Sequence, residues 1–176
     1  MEMMGIGNML AVLGAAAAVF LSGSGSSIGV GNAGRASAGV LTEKPERYGL
    51  NFMLVVLPGT QGIYGLVGAM LVMNFMGFFS ADFKVTLSTW QGLTVLAGCL
   101  PVGIAGLISA IHQGNVCAAG IVMAAKRPEM AFKAGAVYAA MVELYALFGL
   151  LTTIFILKFG VDWEAVKVVT AAVTGQ

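Results

Sequence analysis

The stretch Ala134–Leu157 reads AGAVYAAMVELYALFGLLTTIFIL. It is long enough to cross a bilayer, whose ~30 Å hydrocarbon core takes about 20 apolar residues as helix. Its one charge is Glu143. A charged carboxylate at mid-membrane depth costs at least ~2.5 kcal/mol, and such residues usually belong to ion pathways or proton relays. What neutralises Glu143 therefore decides what the chain does, and the remaining sequence is read for that answer.

The composition sets the class. Of 176 residues 59% are hydrophobic and 10% charged, where a soluble domain carries about 25% charged residues. Three further uncharged runs, Met3–Gly34, Tyr48–Ala81 and Val85–Ala125, stand between the charges. Backbone groups in lipid must be paired within their own segment, so runs of this length are read as helices. The short alternating segments of a membrane β-barrel are absent from the sequence. The expectation is an all-α membrane protein with four transmembrane helices and no soluble domain. A net charge of +1 gives the chain no nucleic-acid footprint. The N-terminus has no basic residues ahead of its apolar run, so the first helix is expected to stay in the mature protein. Cys99 and Cys117 fall in one helix at heights about 27 Å apart, too far to bridge, and are read as buried thiols.

In the first run, Ser22–Gly34 reads SGSGSSIGVGNAG. It invites a phosphate-loop reading, but the spacing is not G-x-G-x-x-G and no Gly-Lys-Ser/Thr follows. Small residues four apart, such as Gly25 and Gly29, instead let transmembrane backbones approach each other. In the second run, Leu57–Tyr64 reads LPGTQGIY. Pro58 removes a backbone donor and predicts a kink. Positions 57, 60, 61 and 64 share one helical face, so Thr60, Gln61 and Tyr64 point the same way. Taken alone, such a face is read as hydrogen bonding between packed helices in preference to a ligand site. The third run is expected to form a helix from about Leu87 to Lys126, longer than a bilayer core requires. It carries His112 and Gln113; a lone His is more often a polar contact than a ligand, and His112 is left out of the site. The second helix is expected to reach about Ser80, and Trp163, in a mildly amphipathic tail, suits a membrane interface.

The sequence also repeats. Gly31-Asn32 and Pro45-Glu46 recur as Gly114-Asn115 and Pro128-Glu129. The expected organisation is a first hairpin over 1–83, a second over 84–160 and a tail over 161–176, with the two hairpins in the same orientation. The first hairpin lacks the carboxylate: Thr60 or Gly59 stands opposite Glu143, depending on which anchor sets the register. Arg35, Lys44, Arg47, Lys126, Arg127 and Lys133 flank the 1–2 and 3–4 turns, against Lys84, Lys158 and Lys167 on the other side. This bias predicts that those two turns are cytoplasmic and both termini outside.

A duplicated Gly-rich hairpin, one in-membrane Glu in the last helix and turns ending in Pro-Glu resemble the proteolipid, or K/c subunit, of V-type and A/V-type ATPases. The bacterial sodium-transporting form is the nearest in pattern. The motifs that carry the resemblance are Leu57–Tyr64, His112-Gln113-Gly114 and Met141–Tyr145, and it covers nearly the whole chain. It implies a closed ring of identical copies that turns in the membrane. ATP is hydrolysed or made in a separate soluble head, so the chain is not an enzyme by itself. The other partners implied are a stator membrane subunit supplying an Arg, central stalk subunits at the cytoplasmic turns, and lipid. It also implies a Na+ ligand set of Glu143, Gln113, Gln61, Thr60 and the Leu57 carbonyl, with Tyr64 hydrogen-bonded to the carboxylate and no organic cofactor. Sodium prefers hard oxygen ligands, and these groups supply them. A proton would need only Glu143 in an apolar pocket, which makes a proton-carrying rotor the alternative. A small Glu-dependent cation antiporter is the competitor from another class; the duplication and the long third helix argue against it.

Overall fold

The computed structural model describes residues 5–79 and 85–166. It contains four helices long and apolar enough to cross a membrane: α1 (Ile6–Glu43), α2 (Pro45–Phe75), α3 (Thr89–Lys126) and α4 (Pro128–Phe159). Helices α1 and α3 are each 38 residues long, or about 57 Å at 1.5 Å per residue, and outreach a ~30 Å core. The Ala81–Lys84 turn and the end of the tail from Lys167 lie outside the described residues.

The closest packing is between α1 and α3, and small residues make it possible. A Cβ added at Gly25 would stand 2.6 Å from Leu107 Cα, and one added at Gly14 would stand 2.8 Å from Leu96 Cα. At Gly114 a Cβ would collide with the backbone of Gly29. The Gly/Ser run of α1 is therefore a packing surface. Helix α2 lies mainly on α1, and α4 mainly on α3, so each half of the chain is a hairpin. The halves are parallel: Asn32 Nδ2 donates to Asn115 Oδ1 at 2.9 Å, a pair 83 residues apart and the same step as the sequence repeat. The Lys44 ammonium donates to the Ala125 carbonyl, which brings the 1–2 and 3–4 turns to one end of the bundle.

Pro58 interrupts its helix, and buried hydroxyls meet the backbone near both internal prolines. At Pro58 the α-helix of α2 is interrupted by a 3-10 turn over Leu57–Gly59 before resuming at Thr60, the kink expected there. The Gly62 N–H donates to Ser26 Oγ at 2.7 Å. Helix α3 contains Pro101. Next to it, the Val102 N–H donates to Thr153 Oγ1 at 3.1 Å and the Val102 carbonyl accepts from Ser22 Oγ at 3.0 Å. Unpaired backbone groups at this depth would each be costly, so these contacts hold the four helices in register.

Some boundaries differ from expectation. Helix α2 ends at Phe75, because the chain turns at Gly77 with φ of 80°, a left-handed conformation. Helix α3 starts at Thr89, behind a capping box in which Ser88 and Gln91 each bond the other's backbone. Helix α4 opens with a π-helical segment over Ala131–Ala136. Trp163 is buried against its own chain. Its ring stacks on Phe75 at 5.1 Å and its Nε1–H donates to the Leu157 carbonyl at 2.7 Å. Cys99 and Cys117 are free and buried, as read from the sequence.

The α1–α3 contact can be tested directly. Gly114→Leu should lose about 1–3 kcal/mol or more, because the neighbouring backbone cannot yield. Gly39→Leu, where an added Cβ meets nothing within 4 Å, should stay within about 0.5 kcal/mol of the parent. Thermal unfolding midpoints in detergent would compare the two.

Candidate ion site

Glu143 sits mid-way along α4 on its half-buried side. Tyr64, one turn past the Pro58 kink, donates its phenolic hydrogen to Glu143 Oε1 at 2.6 Å. Gln113 on α3 donates from Nε2 to Glu143 Oε2 at 3.4 Å and to the Ala139 carbonyl at 2.9 Å. The carboxylate is thus held from α2 and α3 together. Both contacts are hydrogen bonds to a group that is acceptor-only when ionised.

Behind the carboxylate lies an amide pair. Gln61 Nε2 donates to Gln113 Oε1 at 2.7 Å, and both side chains are fully buried. Thr60 Oγ1 donates to the Leu57 carbonyl at 2.9 Å and lies 3.4 Å from Gln61 Oε1. The 3-10 turn explains the Leu57 carbonyl. Pro58 breaks the regular helix here, and the Thr60 N–H closes the short turn onto the Leu57 oxygen.

All six residues singled out from the sequence, Leu57, Thr60, Gln61, Tyr64, Gln113 and Glu143, therefore fall in one hydrogen-bonded cluster. Between them they present a carboxylate, two amide oxygens, a hydroxyl, a carbonyl and a phenol. Two participants were not anticipated. The Ala139 carbonyl lies one turn before Glu143 and anchors Gln113. Ser26 ties the turn beneath Gln61 to α1. Only i, i+4 spacing from Glu143 points to Ala139, and nothing in the sequence points to Ser26. His112, left out of the site, is exposed. Among the described residues no group of three or more His, Cys, Asp or Glu is placed to hold a metal ion.

Such a duplicated four-helix membrane protein, with one carboxylate clasped by polar groups between its helices, has the architecture of an ion-carrying proteolipid. The chain belongs to the family of the ATP synthase C subunit, whose model matches residues 13–72 and again 96–156. It is 47% identical to the V-type sodium ATPase subunit K of Enterococcus hirae, over 81% of this chain and 86% of that one. It is 38% identical to the A-type ATP synthase subunit K of Methanocaldococcus jannaschii, over 85% of this chain and 62% of that one. With the 16 kDa proteolipid of the V-type proton ATPase of Homo sapiens the identity is 28%, over 85% and 91%.

The amide pair gives a measurable expectation. Gln113→Ala would leave the Gln61 donor unpaired in a buried site, at a cost of about 1–3 kcal/mol. Gln61→Ala with Gln113→Ala should be less destabilising than the sum of the single changes, as read from unfolding midpoints of the two singles and the double.

Proposed function

We propose that the chain is the rotor-ring proteolipid of a V-type ATPase and that it carries Na+ across the membrane on Glu143. ATP hydrolysis or synthesis would take place on other subunits. The observation that carries the reading is the Glu143 cluster. An isolated carboxylate needs one neutralising cation, and the groups around this one are oxygen donors suited to sodium. Gln61 and Gln113 add two amides that a proton would not require. The 47% identity to a relative named as a sodium ATPase subunit, against 28% to one named as a proton ATPase subunit, supports the same choice. The ligands proposed are Glu143, Gln113, Gln61, Thr60 and the Leu57 carbonyl, with Tyr64 fixing the carboxylate.

In the proposed cycle Glu143 takes up an ion where the ring of identical copies meets a stator subunit. One cation cancels one carboxylate, so the loaded site is neutral and can turn past lipid without the cost of a bare charge. On return, an Arg of the stator pairs with the carboxylate and releases the ion on the other side. The basic bias supports a cytoplasmic side for the 1–2 and 3–4 turns, where the central stalk would dock. The Lys44–Ala125 contact supports a common side for the two turns.

Two experiments test this. A hydrophobic carbodiimide modifies the protonated carboxyl of Glu143. Raising sodium at fixed pH and ionic strength should slow the modification, because sodium and the proton compete for one carboxylate; potassium should protect far less. Glu143→Gln should insert and assemble but neither react nor transport. Labelling indifferent to sodium at every pH would leave the proton-carrying rotor as the better reading. For sidedness, cysteines at Lys44 and Lys126 should react with an impermeant thiol reagent from the cytoplasmic side only; labelling from outside would invert the topology.

A further inference from the structure

Most of the proposed ligands come from one short stretch of α2. The Leu57 carbonyl, the Thr60 hydroxyl and the Gln61 amide all stand on, or just past, the turn at Pro58. Their mutual spacing is therefore the geometry of that turn. Helix α1 holds it at two points. The Gly62 N–H, next after Gln61, donates to Ser26 Oγ at 2.7 Å, and Ser26 is only 8% exposed. Pro58 lies over Gly29, where an added Cβ would stand 2.8 Å from Pro58 Cβ. The carboxylate is held differently. Glu143 accepts from Tyr64 and Gln113. The stretch of α2 that carries Tyr64 has its own seat on α1, since a Cβ added at Gly65 would stand 2.6 Å from Ser22 Oγ. One anchor thus serves the donors of the turn, and another serves the residue that fixes the acid.

We infer that Ser26 is a positioning residue that sets the preference of the site for Na+ over the proton, acting through the turn it anchors. A proton needs one basic oxygen in an apolar pocket, and Glu143 supplies it. A sodium ion gives up its hydration shell only where several oxygens replace the water together. Displacing the donors of the turn therefore weakens sodium binding and leaves protonation of the acid alone. At metal sites, groups that orient the ligands without touching the ion are worth about 10–100-fold in affinity. Ser26 has that place here, because it bonds backbone next to Gln61 and is not itself a proposed ligand. Its burial keeps water from replacing the bond, which is stronger for the low local dielectric. Without the hydroxyl, the Gly62 N–H would lose its acceptor on α1, and the turn would rest on the Pro58–Gly29 contact. The inference rests on the sodium reading above and names a residue outside the ligand set that tunes it.

The test is carbodiimide labelling of Glu143 in membranes that hold the assembled complex. The readout is the sodium concentration that halves the labelling rate at fixed pH and ionic strength. Ser26→Ala should raise that concentration about tenfold, while the rate without sodium stays within about twofold of the parent. Ser26→Thr keeps the acceptor and should keep the parent's sodium requirement. Ser27→Ala, on the exposed side of the same helix, should keep it too. If Ser26→Ala fails to assemble, Gly62→Ala serves in its place. Its Cβ would stand 3.2 Å from Ser26 Oγ, crowd the bond from the other side and raise the sodium requirement in the same direction. An unchanged requirement in Ser26→Ala, or in Gly62→Ala where that variant stands in, overturns the inference. So does a Ser26→Thr protein as impaired as Ser26→Ala, or a sodium-free rate that shifts as far as the sodium requirement. Either result would make Ser26 a general packing residue and leave the sodium reading standing. A parent protein whose labelling ignores sodium removes the sodium reading, and the inference with it.

Discussion

A carboxylate inside apolar helices must be met by donors from its neighbours, and in this chain those donors stand on two different helices. Tyr64 comes from α2 and Gln113 from α3, while Glu143 itself is on α4. Three helices must therefore converge at one height. The fourth, α1, makes that convergence possible by being thin. Its glycines let α3 approach to backbone contact, which leaves α2 and α4 close enough to share a site. A bulkier α1 would push α3 away and carry Gln113 out of reach of both Gln61 and Glu143.

The same economy appears in the backbone. Pro58 and Pro101 lie on different helices, and each has a hydroxyl from another helix bonded to the backbone beside it. Ser26 receives the Gly62 N–H, Ser22 donates to the Val102 carbonyl, and Thr153 accepts from the Val102 N–H. The serines of the first helix do more than make it slim. They tie α1 to α2 just past the irregular turn that supplies the Leu57 carbonyl and to α3 beside Pro101. In lipid, where water cannot satisfy a stray backbone group, these contacts fix the helices against sliding along one another.

Much of this was legible because the signals were one-dimensional. Uninterrupted apolar runs gave four spans, the recurring Gly-Asn and Pro-Glu pairs gave two parallel hairpins, and a lone charge gave the site. The i, i+3, i+4, i+7 face placed Thr60, Gln61 and Tyr64 together, but taken alone it favoured a packing contact over a ligand set. The direct Gln61–Gln113 bond joins residues 52 apart, and no local pattern encodes it. The packing of Trp163 was hidden for a similar reason. Its composition suits an interface, but its partner, Phe75, lies far away in sequence, and only the fold brings the two rings to 5.1 Å. The π segment at the head of α4 has no proline or glycine pair to announce it.

The two repeats have diverged in complementary ways. The first carries Thr60, Gln61 and Tyr64 on its second helix; the second carries Glu143, which stands opposite Thr60 or Gly59 according to the anchor that sets the register. Neither helix holds a full set of groups. The polar face of α2 has no carboxylate of its own to serve, and the side chains that hydrogen-bond Glu143 come from α2 and α3. Gln113, from the second repeat, bridges them by bonding Gln61 on one side and Glu143 on the other. The cluster therefore belongs to the junction between repeats. A chain made of two copies of either repeat could not assemble it, since it would supply two polar faces or two carboxylates in place of one of each. One proposed ion site for four helices follows from that division of labour.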